Sequence, residues 1–215
     1  MKELFDKLYN KSEESFYKIL DKNLKENKKT FIVTANPETF MMSEKDTETI
    51  LVPDGIGIVK AARMINYDIK ERIAGIDIAN KLLELGNKQK KSIYLFGAKQ
   101  EVIDSMKEVL KNNYPNLKLS GTANGYEKDK DKVFEKIAKA KPDIVLVALG
   151  IPLQEKLIYK HLNKFDKGIF VGVGGSFDVI SGHKKRAPKL FIKLNLEWLY
   201  RILKEPKRIK SFYLK

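Results

Sequence analysis

The chain has 215 residues, of which 43% are hydrophobic, so it is long and apolar enough to bury a core without disulfides. It contains no cysteine, which excludes zinc–thiolate sites, thiol nucleophiles and disulfide scaffolds, and which is typical of a reducing compartment. The formal net charge is +14, and residues 183–215 contribute +9 of it through 11 Lys and Arg against 2 Glu. This local charge has three possible interpretations: a solvated basic tail, an arm that binds nucleic acid, or a surface that docks on anionic lipid headgroups.

From its sequence we expect neither a signal peptide nor a membrane-spanning segment. Residues 1–6 alternate charged and apolar side chains instead of forming the apolar core of a signal peptide. A helix that crosses a bilayer needs about 18 consecutive apolar residues, and the sequence has no such run. We therefore expect a cytoplasmic protein whose contact with a membrane, if it makes one, is peripheral.

Short β-rich runs alternate with segments of helical periodicity along the chain. The six runs cover residues 31–34, 50–52, 92–96, 117–119, 143–148 and 168–173. Helices are predicted between them, for example over 100–111 and 130–140. The fifth and sixth runs are almost continuously apolar, as expected for central parallel strands that are buried on both faces. The order predicts an α/β fold with a doubly wound, mostly parallel, Rossmann-like sheet.

The basic end of the chain has the pattern of an amphipathic helix. At about 100° per residue, its apolar and charged side chains separate into two arcs. The apolar arc holds Leu190, Phe191, Leu194, Trp198 and Ile202, and the charged arc holds Lys189, Lys193, Glu197 and Lys204. We predict an α/β domain over 1–188 and a basic helical appendage over 189–215. The appendage either packs on its own domain, docks on anionic lipid, or serves as an arm that binds a polyanion such as nucleic acid.

Glycine-rich and polar segments follow most of the predicted strands, at positions 34–37, 53–57, 97–99, 150–154 and 174–176. Because ligands bind outside the carboxyl ends of strands in such sheets, these segments predict a cleft whose backbone N–H groups hold a phosphate or nucleotide. Neither the dinucleotide-binding nor the P-loop fingerprint is present, which disfavours dinucleotide oxidoreduction and NTP hydrolysis.

Asp54 is the candidate catalytic residue, since it follows an apolar strand at the mouth of this cleft. An ionised carboxylate there can accept a proton from an attacking hydroxyl group. The alternative is a helix cap for residues 57–65, and Asp77 is interpreted as the cap of a helix over 78–85. His161 and His183 have polar neighbours in the sequence and are expected to face solvent, which disfavours a histidine-based triad.

Several motifs occur in order between residues 31 and 210. They are Thr34-x-Asn36-Pro37, Pro53-Asp54-Gly55-Ile56-Gly57, Arg72-Ile73-Ala74-Gly75-Ile76-Asp77, Gly150-x-Pro152-x-Gln154-Glu155-Lys156, Gly172-Val173-Gly174-Gly175-Ser176-Phe177-Asp178, and Arg186-Ala187-Pro188 through Glu197-Trp198-Leu199-Tyr200-Arg201 to Glu205-Pro206-x-Arg208. Together they resemble the WecG/TagA/CpsF family of bacterial glycosyltransferases.

The resemblance implies an enzyme at the inner face of the plasma membrane that transfers a sugar, with inversion, from a UDP-sugar to a polyprenyl-diphosphate-linked acceptor. The best-known activity is transfer of N-acetylmannosamine to lipid-linked N-acetylglucosamine in the synthesis of wall teichoic acid or enterobacterial common antigen. Another family member's donor, such as UDP-glucose in capsule synthesis, is the alternative. A homo-oligomer in solution is compatible with either.

The resemblance also implies roles for individual residues. Asp54 would be the general base, Thr34 and Asn36 would line the sugar site, and the remaining residues would hold the nucleotide sugar or its diphosphate: Arg72, Gln154, Gly174, Gly175, Arg201 and Arg208. Because arginines can offset the charge of the leaving diphosphate, we expect neither a metal nor a cofactor. Asp129-Lys130-Asp131 has the letters of a metal-binding triplet but is predicted to lie in a solvated turn.

Without the resemblance, Arg72 reads as a surface ion-pair partner of Glu71 or Asp68, and Gln154 as an exposed helix residue. Two departures from the family pattern stand out. The region before residue 30 lacks the family's initial strand and hairpin, and Ser211 replaces a frequent arginine.

The sequence disfavours two other functional classes. A glycosidase-like hydrolase would need two facing carboxylates, and only Asp54 is placed at the cleft. A noncatalytic nucleic-acid binder would explain the charge but not the glycine-rich cleft, so we expect no nucleic-acid partner.

Overall fold

A computed structural model describes residue 6, residues 8–35, residue 39 and residues 49–64, 66–194 and 196–204, apart from the side chains of Ile56, Arg63 and Arg201. Within these residues the strands are β1 Thr30–Ala35, β2 Thr49–Pro53, β3 Ser92–Gly97, β4 Lys118–Ala123, β5 Ile144–Ala148 and β6 Ile169–Gly172. The helices are α1 Glu13–Lys25, α2 Ile56–Met64, α3 Gly75–Lys88, α4 Gln100–Asn113, α5 Lys130–Ala140, α6 Leu153–His161, α7 Ser176–Ile180, α8 Lys189–Lys193 and α9 Glu197–Lys204.

The strands of the described residues form one sheet in the order β2-β1-β6-β5-β3-β4, and every pairing in it is parallel. The predicted α/β, Rossmann-like fold is confirmed. All six predicted runs are strands, but the fourth continues to Ala123 instead of ending at 119. Gly121 lies within this strand, where a Cβ would come within 2.5 Å of Cε2 of Tyr94 on the neighbouring strand, so glycine permits the close approach.

Helices cover both faces of the sheet, and side chains alternate between two cores. In β5, Ile144 and Leu146 pack with α1, α3 and α4, whereas Val145 and Val147 pack with α2, α5 and α6. Burial on both faces explains why this strand reads as a continuous apolar run.

The N-terminal segment pairs with the outer edge of β2. Leu8 forms an isolated parallel bridge with Leu51, and the backbone N–H of Tyr9 donates to the Leu51 carbonyl at 2.7 Å. Ser12 then caps α1, whose first backbone N–H, on Glu13, donates to the Glu71 carboxylate at 2.6 Å. The region expected to lack a strand therefore contributes one bridge to the sheet and contacts the loop before α3.

The chain divides into two compact units, residues 1–183 and 184–215. In the second unit the predicted single helix is wrong, because α8 ends at Lys193 and α9 begins at Glu197. The N–H of Leu196 donates to the Phe191 carbonyl at 2.7 Å, a bond that spans five residues and interrupts the helical register. Glu197 does not belong to a charged solvent face either, since it is buried and its Oε1 lies 3.8 Å from Nε of Arg186.

Among the described residues of this second unit, four large apolar side chains are exposed: Leu190, Leu194, Trp198 and Leu203. The predicted division of the chain at residue 188 stays a prediction. Among the described residues, none of the helices has both the length and the apolar character needed to cross a bilayer.

Candidate active site

Asp54 lies directly after β2, at the carboxyl edge of the sheet. The N–H of the next residue, Gly55, donates to the Ala35 carbonyl at 3.1 Å, which ties this turn to the end of β1. Helix α2 begins at Ile56, so Asp54 stands two residues before it, and its carboxylate is held from a different helix. The side chain is 31% exposed, which leaves the carboxylate accessible to a ligand.

Arg72 fixes the orientation of Asp54. Its Nη2 donates to Oδ1 of Asp54 at 2.9 Å, and its Nε donates to the Asp54 backbone carbonyl. One guanidinium therefore holds both the backbone and the side chain of the candidate base. The Arg72 side chain is only 19% exposed, so it is not the surface residue that the alternative interpretation described.

Gly75, the first residue of α3, lies where three strand ends meet. Its N–H donates to Oδ2 of Asp54 at 3.5 Å. A Cβ on Gly75 would lie 3.3 Å from Cγ2 of Thr34 and 4.0 Å from the Gly172 carbonyl oxygen, so glycine permits this close approach. Because α3 begins at Gly75, Asp77 is inside its first turn and the prediction that Asp77 caps the helix is wrong.

Thr34 is buried at the end of β1. Its methyl group faces Gly75, and its carbonyl accepts a hydrogen bond from Oγ1 of Thr39 at 2.9 Å. Thr34, Asp54, Arg72 and Gly75 thus form one cluster, to which Gly172 of β6 is adjacent.

Gln154, in the first turn of α6, joins the loops after β5 and β6. Its Oε1 accepts from the backbone N–H of Gly150 at 3.1 Å and from that of Gly174 at 3.0 Å, while its Nε2 donates to Oε1 of Glu155 at 2.7 Å. Gln154 is 1% exposed, so the interpretation as an exposed helix residue is wrong.

Three glycines of these loops present bare backbone to open space. A Cβ placed on Gly150, Gly174 or Gly175 would meet no atom of the described part of the chain within 4 Å. Gly150 and Gly174 have φ values of +82° and +49°, which favour glycine. A ligand can therefore approach the backbone closely here.

Three predicted site residues are not described. Asn36 and Arg208 lie outside the described residues, and so does the side chain of Arg201, whose backbone is part of α9. Their roles, like those of the other predicted site residues, stay predictions.

His161 is buried, contrary to prediction. It is 3% exposed, its ring stacks on Phe134 with 4.9 Å between centroids, and its Nε2 lies 2.6 Å from Oδ1 of Asp131. Lys160 and His161 hold the pKa of Asp131 below its usual range. The spacing of Gln154, Leu157, Ile158 and His161 on one face of α6 was a usable signal for burial. His183 is exposed, as predicted.

Both carboxylates of the Asp129-Lys130-Asp131 triplet have structural roles. Asp129 caps α5 by accepting the N–H of Lys132 at 2.9 Å, which lowers its pKa, and Asp131 pairs with Lys160 at 2.7 Å. Over the part of the chain that the structure describes, no three His, Cys, Asp or Glu side chains are grouped as metal ligands.

Sequence reasoning gave no role to Gly75, Gly172 or Glu155, although all three contact predicted site residues. A Cβ on Gly172 would lie 2.5 Å from Nε2 of Gln154 and 2.8 Å from Oε1 of Glu155. Gly172 therefore connects the Asp54 cluster to the Gln154 cluster, a relation that depends on strand order and has no local signal in the sequence.

The model of the glycosyl transferase WecG/TagA/CpsF family matches residues 5–215, which include the N-terminal segment. Three relatives are named N-acetylglucosaminyldiphosphoundecaprenol N-acetyl-beta-D-mannosaminyltransferase. The Bacillus subtilis (strain 168) protein is 42% identical over 205 residues, 91% of this chain and 80% of that protein. The Bacillus spizizenii protein is 43% identical over 193 residues, 86% and 75% of the two chains. The Staphylococcus aureus (strain MW2) protein is 36% identical over 187 residues, 83% and 74%.

Proposed function

Since the chain belongs to the WecG/TagA/CpsF family and is a glycosyltransferase, we propose that it transfers N-acetylmannosamine from UDP-N-acetylmannosamine to N-acetylglucosamine on a polyprenyl diphosphate. The shared name of the three relatives supports both the sugar and the acceptor. The product would be a lipid-linked disaccharide for a cell-wall polymer of the teichoic acid type.

The observation that carries the proposal is the Asp54 carboxylate, partly exposed at the carboxyl edge of the sheet and held by Arg72 and the start of α3. Oδ1 accepts from Arg72 at 2.9 Å and Oδ2 accepts the N–H of Gly75 at 3.5 Å, so both oxygens of the carboxylate are oriented. Asp54 would act as general base, and Arg72 would keep its carboxylate oriented.

In the proposed reaction, the acceptor hydroxyl gives its proton to Asp54 as its oxygen attacks the anomeric carbon from the face opposite UDP. The new carbon–oxygen bond forms while the bond to the diphosphate breaks, and UDP leaves with the electron pair. Attack from the opposite face inverts the anomeric configuration.

The donor would lie across the clusters joined by Gly172. Thr34 and Asn36 would line the sugar site. Arg72 and the Gly174–Gly175 loop, which is bonded to Gln154, would form the part that holds the nucleotide sugar. Arg201 and Arg208 would approach the diphosphate and offset its charge by charge-assisted hydrogen bonds. On this proposal the reaction requires neither a metal nor a cofactor.

The enzyme would work in the cytoplasm, at the inner face of the plasma membrane, because its acceptor is anchored there. The exposed Leu190, Leu194, Trp198 and Leu203, on a segment of net charge +9, support peripheral docking on anionic lipid. Leu190→Glu with Leu194→Glu should reduce sedimentation with anionic vesicles. The matched control, Met64→Glu with Leu119→Glu, adds the same charge at exposed positions of residues 1–183 and should sediment like the wild type.

A donor panel on the purified protein tests the function. UDP-N-acetylmannosamine, UDP-N-acetylglucosamine and UDP-glucose are each offered with a short-chain polyprenyl-diphosphate N-acetylglucosamine. We expect a disaccharide product of N-acetylmannosamine mass, with the inverted β linkage by NMR. A glucose-containing product would instead support a different hexosyltransferase, and sugar release without an acceptor would indicate a hydrolase.

A further inference from the structure

Gln154 is placed too deeply to bind a substrate with its amide. We propose that Gln154 is a positioning residue that holds the Gly150 and Gly174 loops together, so that their bare backbone forms the surface on which the nucleotide sugar lies. The inference deepens the proposed function and rests on it for the kinetic measurement only.

The hydrogen-bonding capacity of the amide supports this role. A glutamine carbonyl oxygen has two lone pairs, and Gly150 N–H and Gly174 N–H use both of them. The amide nitrogen donates to Glu155 at 2.7 Å, and the residue is 1% exposed. A substrate hydroxyl therefore has neither an acceptor nor a path to this oxygen.

The orientation of the amide follows from its partners. Both glycine groups are N–H donors, so the atom that faces them must be the oxygen. At the opposite end of the amide, Nε2 donates to Oε1 of Glu155. The two glycine N–H groups and Glu155 thus agree on which end of Gln154 faces the loops.

The glycine loops lack packing contacts that could hold them in place of Gln154. Gly150 and Gly174 adopt left-handed backbone conformations, and no atom of the described residues lies within 4 Å of where their Cβ atoms would be. Gln154 also holds its own loop through its backbone, since its N–H donates to the Gly150 carbonyl at 3.1 Å. Gln154 therefore fixes loops whose backbone a ligand can approach closely.

Gln154→Met keeps the volume of the side chain but removes the acceptor. We expect amide hydrogen exchange at Gly150 and Gly174, followed by NMR without substrate, to be about tenfold faster than in the wild type. We expect kcat to fall by about 10- to 100-fold while KM for the nucleotide sugar changes little, because the donor still binds but is held less accurately. Gln89→Met, which removes a similar side-chain bond to Asp21, is the control and should change neither.

Exchanging the two side chains provides a rescue. In Gln154→Glu with Glu155→Gln, a carboxylate would accept from both glycines and an amide at 155 would donate to it. The exchanged pair should restore glycine protection and recover more kcat than Gln154→Glu alone, in which two carboxylates face each other. If the exchanged pair is no better than the single variant, the proposed arrangement of donors and acceptors is overturned.

Two other results would overturn the proposal. One is unchanged exchange at Gly150 and Gly174 in Gln154→Met. The other is a raised KM at unchanged kcat, which indicates direct contact with the donor. Failure of the wild type to transfer sugar would contradict the proposed function instead, and the exchange data would still decide whether the loops are held by Gln154.

Discussion

Two aspartates at opposite edges of the sheet differ in how deeply their side chains are buried. Asp54 follows β2 at the carboxyl edge, and Asp143 precedes β5 at the amino edge. Each forms an ion pair, Asp54 with Arg72 at 2.9 Å and Asp143 with Lys167 at 2.6 Å. Each also accepts a backbone N–H, from Gly75 at 3.5 Å and from Ser92 at 2.9 Å.

Asp143 is the more deeply buried of the two. Its Oδ2 also accepts from Oγ of Ser92 at 2.8 Å, and its side chain is 12% exposed against 31% for Asp54. Burial alone would raise the pKa of Asp143, but Lys167 and Ser92 outweigh it and hold that pKa below its usual range. Asp143 therefore fastens β3 to β5, whereas the partly exposed side chain of Asp54 lies at the edge where parallel sheets bind ligands.

The largest effect on turnover is predicted for a substitution of Asp54. Asp54→Asn should lower kcat by about 10²- to 10⁴-fold, because an amide cannot accept the proton of the acceptor hydroxyl. Its thermal midpoint should stay near that of the wild type, since the side chain keeps its volume and is partly exposed. The measurement is product formation at saturating donor, with thermal unfolding on the same samples.

Asp143→Asn is the matched control for this variant. Asp143→Asn should have the turnover of the wild type. The same substitution would then affect catalysis at the carboxyl edge, in Asp54, and stability at the amino edge, in Asp143. Near-normal turnover in Asp54→Asn would refute its role as base.

A second prediction concerns Gly172, between the two clusters of the carboxyl edge. Gly172→Ala should displace the Gln154 amide, since the new Cβ would lie 2.5 Å from Nε2, and kcat should fall by up to about 10²-fold. The change should add little in a Gln154→Met background, because both substitutions disturb the same contact. Fully additive losses in this double-mutant cycle would show that Gly172 acts by another route.

Local sequence patterns were sufficient for most of the fold. Apolar runs predicted all six strands, and helical periodicity predicted α5 over its full length, because burial on a sheet or helix face repeats at short intervals. The strand-end rule likewise brought attention to Asp54 and to the Gly174 loop before any contact was known.

Contacts between distant segments were not predictable in the same way. Arg72 and Asp54 are 18 residues apart and meet through the loop before α3, whose path has no periodic signal. The burial of Gln154 depends on the adjacency of β5 and β6. The break between α8 and α9 depends on a single hydrogen bond from the Leu196 N–H to the Phe191 carbonyl. Such features are set by tertiary packing, which a single sequence does not display.

Asp143→Asn carries the third prediction, a loss of stability. We expect a free energy of unfolding lower by about 1–3 kcal/mol at neutral pH, since the charged bonds to Lys167 and Ser92 are weakened. Because the folded pKa of Asp143 is depressed, its contribution is complete above the ordinary aspartate pKa of about 4 and is lost as the pH falls through the folded value. Denaturant unfolding at several pH values should show the difference between the wild type and the variant shrinking below about pH 4. A difference that is constant down to low pH would mean that the charge of Asp143 does not contribute.

The smallest effect is expected from the removal of divalent cations. Turnover should be the same in excess EDTA as without it. Transferases that use a metal place it on the diphosphate through carboxylates, but here the triplet that has the right letters is engaged otherwise: Asp129 caps α5 and Asp131 pairs with Lys160 and His161. At the carboxyl edge, Asp54 faces the guanidinium of Arg72 at 2.9 Å, and on the proposed function arginines offset the charge that develops on the departing UDP. Turnover that falls in EDTA and returns with Mg²⁺ or Mn²⁺ would contradict this and would place a cation beside the diphosphate. If the enzyme keeps its activity in EDTA but loses it on Asp54→Asn, the two results together support Asp54 as a base and not as a metal ligand.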